Sequence, residues 1–310
     1  MSSTAWTVDD MPDLAGKRAL VTGVTAGLGK CTALELARRG AEVVMAARDE
    51  SRLGKTVVEV RGALPEAQVQ PLVLDLADLS SVRRASDEVA AYGSIDVLVN
   101  NAGVMATPKR RTVDGFELQL GTNHLGPFAF TGLVFPQLVA SGDARVVTVS
   151  SIAHQLARSV PLGDPREPHR RYRKWGAYAE SKLANLLFAF ELDRRARTRG
   201  LPVVSVAAHP GYASTDLVKG DRLGGGRRPA GTMIEAVTRL LGQSAAQGAL
   251  PQLMAATAPG LPGGSYLGPS GPGEVRGLPV VVGTTSAARD EELAAKLWAL
   301  SEQATGVHFP

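Results

Sequence analysis

Two side chains that together could move a proton lie one helical turn apart. Tyr178 and Lys182 occur in the stretch "YAESK", within a segment whose pattern predicts a helix. Residues four apart on a helix are neighbours on its surface. A free phenol has a pKa of about 10 and is a poor acid–base group at neutral pH, but a nearby ammonium favours the phenolate and lowers that pKa. The pair is a candidate acid/base group, although an isolated pair of this kind is usually a solvated surface pair.

A glycine-rich turn near the N-terminus has the composition of a phosphate-binding turn. The stretch "VTGVTAGLGK" follows an apolar run, precedes a helical pattern and contains Gly23, Gly27 and Gly29. Glycine allows a tight turn and a close approach by a pyrophosphate, and the free amides and dipole of a helix N-terminus favour an anion. A purely structural turn is the alternative, but the position after the first predicted strand favours dinucleotide binding.

Other polar or glycine-containing stretches also follow predicted strands. They are "NNAG" (100–103), "VSS" (149–151) and "HPG" (209–211), with Thr215 close behind the last, and Asn123 in "TNHLG" on a predicted helix. In open α/β sheets, ligands bind at the carboxyl ends of the strands. We therefore expect these stretches to meet at one site.

Six apolar strands alternate with helical patterns along the first two thirds of the chain. The strands are predicted at "RALVTG", "EVVMAAR", "QPLVLDL", "IDVLVNNAG", "ARVVTVSS" and "PVVSVAAHPG". Residues 116–141 should form a long helix, bent or interrupted near Pro127 and Pro136. Near-continuous Val, Leu and Ala in strands separated by helices predict a parallel sheet covered on both faces.

Beyond Gly211 the composition changes. Residues 220–231 and 259–279 are rich in Gly, Pro and Arg, which is typical of loops. Helical patterns are predicted for 231–257 and 289–306, and "SYLG" is a candidate last strand. The prediction is a single α/β domain over 1–310, with an N-terminal extension (1–15) and an irregular substrate-covering segment at about 213–283.

In this order and combination, the motifs resemble the short-chain dehydrogenase/reductase family, in its TGxxxGxG branch. The resemblance covers residues 16 to about 216. "NHLGPF", "VSSIAH", "YAESKLANLLF" and "KLWALSEQATG" are similar to the retinol-dehydrogenase-like subgroup, which includes the WW-domain oxidoreductases. The resemblance implies a Rossmann-type doubly wound sheet and an oxidoreductase that interconverts a carbonyl and an alcohol by hydride transfer with a nicotinamide cofactor.

The resemblance also implies four catalytic residues. Tyr178 would be the acid/base, Lys182 would support it and hold the nicotinamide ribose, Ser151 would bind the substrate oxygen, and Asn123 would support a water-linked proton relay. Ser150 is an alternative carrier of the hydroxyl, but the family's serine stands at the strand's end before a short loop, which favours Ser151. Ser151 and Tyr178 are also the implied substrate-binding residues.

A larger set of residues is expected to bind the cofactor. It consists of Gly23, Thr25, Gly27, Leu28, Gly29, Arg48, Asp75, Leu76, Asn101, Ala102, Gly103, Tyr178, Lys182, Pro210, Gly211 and Thr215. In relatives that prefer NAD, an aspartate usually ends the second strand, whereas this chain has Ala47 followed by Arg48. An arginine can pair with the 2′-phosphate of NADP, so we expect NADP (NADPH) rather than NAD. The alternative is that Arg48 is a solvated loop charge.

The residues after Thr215 suggest the kind of substrate. An apolar set in a helical pattern is expected to cover the nicotinamide: Leu217, Val218, Met233, Ile234, Val237, Leu240 and Leu241. Some of these side chains must simply pack on the sheet. This segment has few polar groups, and together with the resemblance to the retinol-dehydrogenase-like subgroup it implies a bulky lipophilic ketone, aldehyde or secondary alcohol.

Ser151 and Tyr178 are separated by an insert with a basic cluster. They are 27 positions apart, and residues 154–176 between them include Arg166, His169, Arg170, Arg171, Arg173 and Lys174. A solvated rim loop is one interpretation. Attraction of an acidic substrate or of a membrane surface is the other.

Two other functional classes share parts of this pattern. A regulatory protein that binds NADP without turnover can have the same fold, but such proteins typically lose the tyrosine or the lysine. Sugar-nucleotide epimerases and dehydratases share the Tyr–Lys pair, but usually have a TGxxGxxG turn and a larger C-terminal domain. Retention of all four catalytic positions favours the reductase or dehydrogenase.

Composition limits the remaining possibilities. The net charge of +4 is small and spread out, so no nucleic-acid partner is expected. Cys31 is the single cysteine, which excludes an intrachain disulfide and fits a reducing compartment. The five histidines show no metal-ligand spacing, so no metal is expected.

The same composition bears on location and assembly. No signal-peptide pattern and no run of roughly 18 apolar residues occurs, so we expect a soluble, cytoplasmic protein with no membrane span. The family resemblance implies a homodimer or homotetramer.

Overall fold

The central feature is an eight-stranded sheet with strand order β3-β2-β1-β4-β5-β6-β7-β8. The computed structural model describes residues 6–166, 171–212 and 243–310. The strands are β1 Arg18–Thr22, β2 Glu42–Ala47, β3 Val69–Val73, β4 Val97–Asn100, β5 Ala144–Val149, β6 Val203–Ala208, β7 Tyr266–Pro269 and β8 Pro279–Val281. Every neighbouring pair from β3 to β7 is parallel, and β7 pairs with β8 antiparallel. This topology confirms the predicted Rossmann-type doubly wound sheet.

Helices cover both faces of the sheet. Within the described ranges, the helices in chain order are α1 Gly27–Arg38, α2 Glu50–Ala63, α3 Leu79–Ala90, α4 Leu118–Leu120, α5 Gly126–Leu133, α6 Phe135–Ala140, α7 Lys174–Thr198, α8 Ala245–Thr257 and α9 Glu291–Thr305. Successive strand residues point to opposite faces, so Leu20 packs in one apolar cluster and Val21 in the other. The cluster around Val21 includes side chains of α1, α2 and α8, and the cluster around Leu20 includes side chains of α3, α5, α7 and α9.

The long helical stretch predicted for residues 116–141 is interrupted twice. A π-helical segment, Gly121–Leu125, separates α4 from α5, and Val134 separates α5 from α6. Both interruptions lie beside the prolines that predicted them, although the π-helical geometry was not predicted. A side chain at Gly126 would overlap the backbone carbonyl of Leu76, so this glycine lets α5 approach the loop after β3 closely.

The C-terminal third contributes more to the sheet than the sequence indicated. The last three residues of "SYLG" lie in β7. The closing helix is α9, which is capped by the Asp290 carboxylate, and this carboxylate accepts from the Leu293 amide at 2.9 Å. β7 lies at the candidate last strand, whereas the loop prediction for 259–279 is wrong at its end, where β8 begins. The segment expected to cover the substrate (213–283) also includes α8, whose Leu253 is instead buried in the sheet's core.

Candidate active site

The turns that follow β1 and β4 are joined directly by hydrogen bonds. The side-chain amide of Asn101 donates to the Thr22 carbonyl at 2.7 Å. The backbone amides of Asn101 and Ala102 both donate to the Thr22 hydroxyl at 3.0 Å. The glycine turn and the "NNAG" stretch therefore lie at the same edge of the sheet, as predicted.

Tyr178 and Lys182 lie near the start of α7 and are buried. Only 8% of Tyr178 and 5% of Lys182 is exposed, so this is not a solvated surface pair. The Lys182 ammonium is 5.9 Å from the centroid of the Tyr178 ring and donates to the Val149 carbonyl, at the end of β5, at 3.0 Å. Burial lowers the pKa of Lys182 to about 8, because removal of water disfavours the charged amine.

The pKa of Tyr178 is shifted in the direction opposite to the one expected. Burial raises it, and a hydrogen bond with the Ser151 side chain offsets only part of that rise. The expectation that Lys182 lowers this pKa is wrong for the protein alone, because the loss of water around the phenol dominates. In the protein alone, Tyr178 is therefore a protonated phenol that is less acidic than a free phenol.

The two candidate serines have different partners. The Ser150 hydroxyl is buried and donates to the Lys182 backbone carbonyl at 2.8 Å. The Ser151 hydroxyl oxygen accepts from the Ala153 amide at 3.2 Å, which leaves its proton free to be donated toward Tyr178. The geometry favours Ser151 over Ser150 as the hydroxyl beside the phenol.

Asn123 lies within the π-helical segment, fully buried, and uses both ends of its amide. Its carbonyl oxygen accepts from the Val104 amide at 2.7 Å, and its amino group donates to the Val104 carbonyl and to the Ser181 hydroxyl, both at 2.9 Å. Ser181 in turn donates to the Tyr178 carbonyl at 2.8 Å. Asn123 thus connects the loop after β4 to α7 at the position of Tyr178. Single π-helical turns are frequent at functional sites.

Gly103 allows the side chains around it to approach closely. A Cβ at this position would lie 3.0 Å from Asn123 Oδ1 and 3.6 Å from Lys182 Nζ. The end of the "NNAG" stretch therefore lies beside two of the four candidate catalytic residues.

Gln119 is a buried residue beside the site that the sequence pattern did not predict. It lies one helical turn before Asn123 and is fully buried. Its carbonyl oxygen accepts from the Ala106 amide at 2.7 Å, and its amino group donates to the Tyr172 hydroxyl at 2.9 Å and to the Lys174 carbonyl at 2.8 Å. Ala106 has a φ of 49°, in the left-handed region. The spacing of four between Gln119 and Asn123 was the available signal, but a sequence does not show which amides are buried.

The insert between Ser151 and Tyr178 packs against the rest of the protein. The Tyr172 hydroxyl donates to the Thr107 carbonyl at 2.8 Å, and the Arg166 guanidinium stacks 4.5 Å from the centroid of the Phe116 ring. Part of the expected basic cluster is therefore structural. Arg171, Arg173 and Lys174 are exposed, whereas His169 and Arg170 lie outside the described residues.

A cavity of about 720 Å³ lies between the insert and the first turns of α7. Glu117 and Leu120 line one side, and Gly176 and Glu180 line the other. At about 100° per residue, Glu180 points roughly 160° away from Tyr178 around the helix axis. The cavity is therefore separate from the face of α7 that carries the Tyr–Lys pair.

The glycine turn fits a dinucleotide phosphate. Gly23 and Gly27 have φ values of 78° and 59°. Because the N-cap residue Ala26 has no polar side chain, it does not cap the first amides of α1. A Cβ at Gly29 would overlap the Asn101 side chain and lie 2.5 Å from the Gly23 carbonyl oxygen. A helix N-terminus with uncapped amides favours an anion, and Thr25 and Leu28 are only partly buried beside it.

The ends of β2 and β3 supply the residues expected around the adenosine. Arg48 is exposed directly after β2 and forms no ion pair or hydrogen bond within the described part of the chain. Asp75 follows β3, and its carboxylate accepts from the Ala77 amide at 2.9 Å. Leu76 is buried in the core, so only part of it can face a ligand.

The "HPG" turn after β6 is held from two sides. The Gln243 side-chain amide donates to the Pro210 carbonyl at 2.6 Å. The Gly211 amide donates to His209 Nδ1 at 3.2 Å, and a side chain at Gly211, whose φ is 64°, would overlap the Val275 carbonyl. Thr215 and the apolar residues expected to cover the nicotinamide lie outside the described residues.

Two further observations concern metals and membranes. In residues 6–166, 171–212 and 243–310, no group of three or more His, Cys, Asp or Glu side chains is arranged to hold a metal ion. None of the helices in those ranges is long and apolar enough to cross a membrane.

Comparisons with known proteins agree on one family. Residues 17–162 match the family described as short chain dehydrogenase. Polyprenol dehydrogenase of Mus musculus is 41% identical over 96% of this chain and 86% of its own length, and retinol dehydrogenase 13 of Homo sapiens is 38% identical over 96% and 87%. A crystal structure of an uncharacterized protein from Mycobacterium Paratuberculosis has a TM-score of 0.79 and 44% identity, covering 99% of this chain and 100% of that one.

Proposed function

This chain belongs to the short-chain dehydrogenase/reductase family, and from that premise we propose that it is an NADP-dependent enzyme for bulky lipophilic carbonyl compounds and alcohols. Its general activity follows from the family: it is an NAD(P)-dependent oxidoreductase that acts on CH–OH groups. The proposal concerns the finer points, which are the phosphate on the cofactor, the size of the substrate and the residues that act.

The buried Tyr178 with Ser151 and Lys182 beside it is the observation that supports this chemistry. When bound, the nicotinamide supplies the hydride for the carbonyl carbon. Tyr178 Oη gives its proton to the carbonyl oxygen, so that the product is the neutral alcohol. The Ser151 hydroxyl donates a hydrogen bond to the same oxygen and orients it. In the direction of alcohol oxidation, the phenolate takes that proton back.

Lys182 and Asn123 support Tyr178 without contacting the substrate oxygen. The Lys182 ammonium, 5.9 Å from the ring centroid, stabilises the phenolate that is left after proton donation. Asn123, through Ser181, holds the backbone of α7 at Tyr178. The positions of these groups are set by hydrogen bonds within the protein, so they are in place before substrate arrives.

Arg48 supports the choice of NADP. Its guanidinium is exposed at the end of β2 and has no partner in the described part of the chain. Ala47 before it provides no carboxylate to repel a phosphate. A charge-assisted hydrogen bond between an arginine and a phosphate is among the stronger polar contacts.

Exposed apolar side chains near the site support a lipophilic substrate. Trp175 is 52% exposed, and its ring centroid is 6.3 Å from that of Tyr178. Leu156, in the 3₁₀ turn Ile152–Leu156 after Ser151, is 77% exposed. Tyr212, which follows Gly211, is also exposed. The names of the two relatives, a polyprenol and a retinol dehydrogenase, fit substrates of this kind.

A matched panel of substrates tests the proposal. Values of kcat/KM are measured with NADPH and with NADH, on large apolar aldehydes and ketones and on short polar ones of equal intrinsic reactivity. We expect higher efficiency with NADPH and with the large apolar set. Equal or better efficiency on the short polar set would contradict the lipophilic proposal while leaving the reductase chemistry intact. The homodimer or homotetramer, the cytoplasmic location and the single-domain organisation stay predictions.

A further inference from the structure

His154, in the stretch "VSSIAH", is buried and has partners on both ring nitrogens. Nδ1 lies 2.8 Å from the backbone carbonyl of Ser151, and Nε2 lies 3.1 Å from the hydroxyl of Thr284. The ring packs edge-on against Tyr266 of β7, with centroids 5.6 Å apart. The five histidines have no metal-ligand spacing, and the proposed chemistry does not use this ring.

The partners determine which nitrogen carries the proton. A carbonyl oxygen can only accept, so Nδ1 must be the N–H donor to Ser151. Burial lowers the pKa of His154, which favours the neutral ring. Nε2 is then an acceptor, and the Thr284 hydroxyl donates to it. His154 thus has one defined tautomer, and both of its hydrogen-bonding positions are used.

These contacts fix the peptide that carries the Ser151 side chain. The Ser151 carbonyl accepts from the His154 backbone amide at 3.0 Å as well as from Nδ1. Its hydroxyl oxygen accepts from the Ala153 amide at 3.2 Å. Thr284 lies between β8 and the 3₁₀ turn Ser286–Arg289, so the imidazole ties the Ser151 turn to the far end of the chain. With its carbonyl and its hydroxyl oxygen both held, Ser151 has little freedom to turn its hydroxyl away from Tyr178.

We propose that His154 is a positioning residue for Ser151, holding the serine hydroxyl against Tyr178 by bridging the Ser151 carbonyl and Thr284. The inference rests on the role proposed above for Ser151. His154 acts through the serine rather than on the reacting atoms. A displacement of about 1 Å at a reacting group can lower the rate by about 10²-fold, so loss of this bridge should reduce kcat strongly.

Three substitutions at His154 separate its two contacts. In His154→Asn, Nδ2 replaces the Nδ1 donor to Ser151 but cannot reach Thr284. In His154→Gln, the longer amide reaches toward Thr284, and the Ser151 carbonyl loses its side-chain donor while it keeps the backbone amide of residue 154. In His154→Phe, the ring shape remains and both contacts are lost. Thr284→Val removes the second contact from the other side.

A control substitution of the same kind is available far from the bridge. Thr257 is a buried threonine whose hydroxyl donates to the Leu253 carbonyl within α8, at 2.8 Å. Thr257→Val therefore matches Thr284→Val in chemistry without touching the Ser151 turn. Each variant is measured for kcat, KM, NADPH dissociation constant and thermal midpoint, on any carbonyl that the unsubstituted enzyme reduces.

We expect kcat to fall by about 10- to 100-fold in the Phe and Gln variants, with the NADPH dissociation constant within about twofold. The Asn variant should keep most of the rate, Thr284→Val should lose a few-fold, and Thr257→Val should change nothing. The positioning role is wrong if the Phe variant keeps its kcat. It is also wrong if kcat of the Asn variant falls as far as that of the Phe variant, with NADPH affinity and thermal midpoint lost in parallel.

A second measurement needs neither substrate nor variant folding. Nitrogen-15 NMR of histidine-labelled protein reports the tautomer of each neutral ring, and we expect His154 to carry its proton on Nδ1. A proton on Nε2 would overturn the proposal.

The variant Ser151→Ala separates the proposed role of Ser151 from that of His154. Full activity in Ser151→Ala contradicts the proposed role of Ser151. Loss of activity in Ser151→Ala, together with unchanged activity in His154→Phe, contradicts only the role of His154.

Discussion

Tyr178 is the residue on which the proposed chemistry depends most. Its phenol is buried, and burial raises its pKa. Tyr178→Phe removes the proton while preserving the ring, so kcat should fall by about 10²–10⁴-fold and the NADPH dissociation constant should stay nearly unchanged. Stopped-flow kinetics with a fluorescence titration of NADPH make this measurement. A Phe variant that keeps most of its rate would show that another group is the acid.

Arg48 should decide between the two cofactors. Arg48→Ala removes a charge-assisted contact that contributes roughly 1.5–3 kcal/mol, so NADPH affinity should fall by about one to two decades while NADH affinity changes little. Arg199→Ala is the control, because it makes the same change in net charge at the opposite end of α7, about 30 Å from Tyr178. Equal binding of NADPH and NADH by the unsubstituted protein would contradict the assignment.

At the scale of single residues, the sequence predicted which side chains meet but not their electrostatics. Tyr178, Lys182, Asn123 and Ser151 lie together because their spacing follows helix period and strand ends. The predicted direction of the pKa shift of Tyr178 was wrong, because this shift depends on how completely neighbouring elements exclude water. Gln119 was missed for the same reason, since its role comes from burial and from partners distant in sequence.

At the scale of elements, the glycine turn after β1 meets two structural requirements, close packing and free backbone amides. Gly29 must leave room for the Asn101 amide and the Gly23 carbonyl, and the first turn of α1 must keep its amides uncapped. Gly29→Ala introduces a methyl group that overlaps Asn101. We expect a lower free energy of unfolding by about 1–3 kcal/mol, as for other overpacking changes, and weaker NADPH binding.

Gly54 provides the matched control for Gly29. It lies inside α2, and a Cβ there meets nothing within 4 Å. Alanine favours helix interiors over glycine by about 0.5–1 kcal/mol, so Gly54→Ala should raise the free energy of unfolding and leave NADPH affinity unchanged. Urea unfolding of both variants measures the difference. Gly29→Ala as stable as Gly54→Ala would mean that the turn tolerates a side chain.

The elements that the sequence predicted well are those with clear local patterns. β1 to β6 follow from continuous apolar runs, and α1, α3, α7 and α9 follow from helical patterns. β8 has three residues and begins with proline, which is too short a pattern to recognise. The π-helical segment at Gly121–Leu125 depends on contacts of Asn123 with Val104 and Ser181, which no local pattern reveals.

At the scale of the whole molecule, buried neutral histidines tie separate parts of the chain together. His124 Nε2 lies 2.8 Å from the Ser301 hydroxyl of α9, and His209 Nε2 lies 2.9 Å from the Glu274 carboxylate. Because the Gly211 amide donates to Nδ1 of His209, its Nε2 carries the proton and donates to Glu274. Burial lowers the pKa of both His124 and His209 to about 3.

These two histidines should make the folded state sensitive to mild acid. Their folded pKa values lie below the ordinary value of 6.5, so the unfolded chain takes up protons first as the pH falls. Their contribution to stability is therefore complete above about pH 6.5 and is lost progressively toward pH 3. Between pH 7 and 5.5, each should lower the free energy of unfolding by about 1 kcal/mol.

Urea unfolding at several pH values between 7 and 5.5 checks this prediction. Burial raises the pKa of the Glu117 and Glu274 carboxyls, which acts in the opposite direction, so measurements above pH 5.5 limit their contribution. His124→Gln keeps an amide near Ser301 and removes one titrating ring, so its loss of stability with acid should be shallower. If the free energy of unfolding stays constant from pH 7 to 5.5, the buried rings take up protons without cost. The contacts that tie α9 and the "HPG" turn to the sheet would then not require neutral histidines.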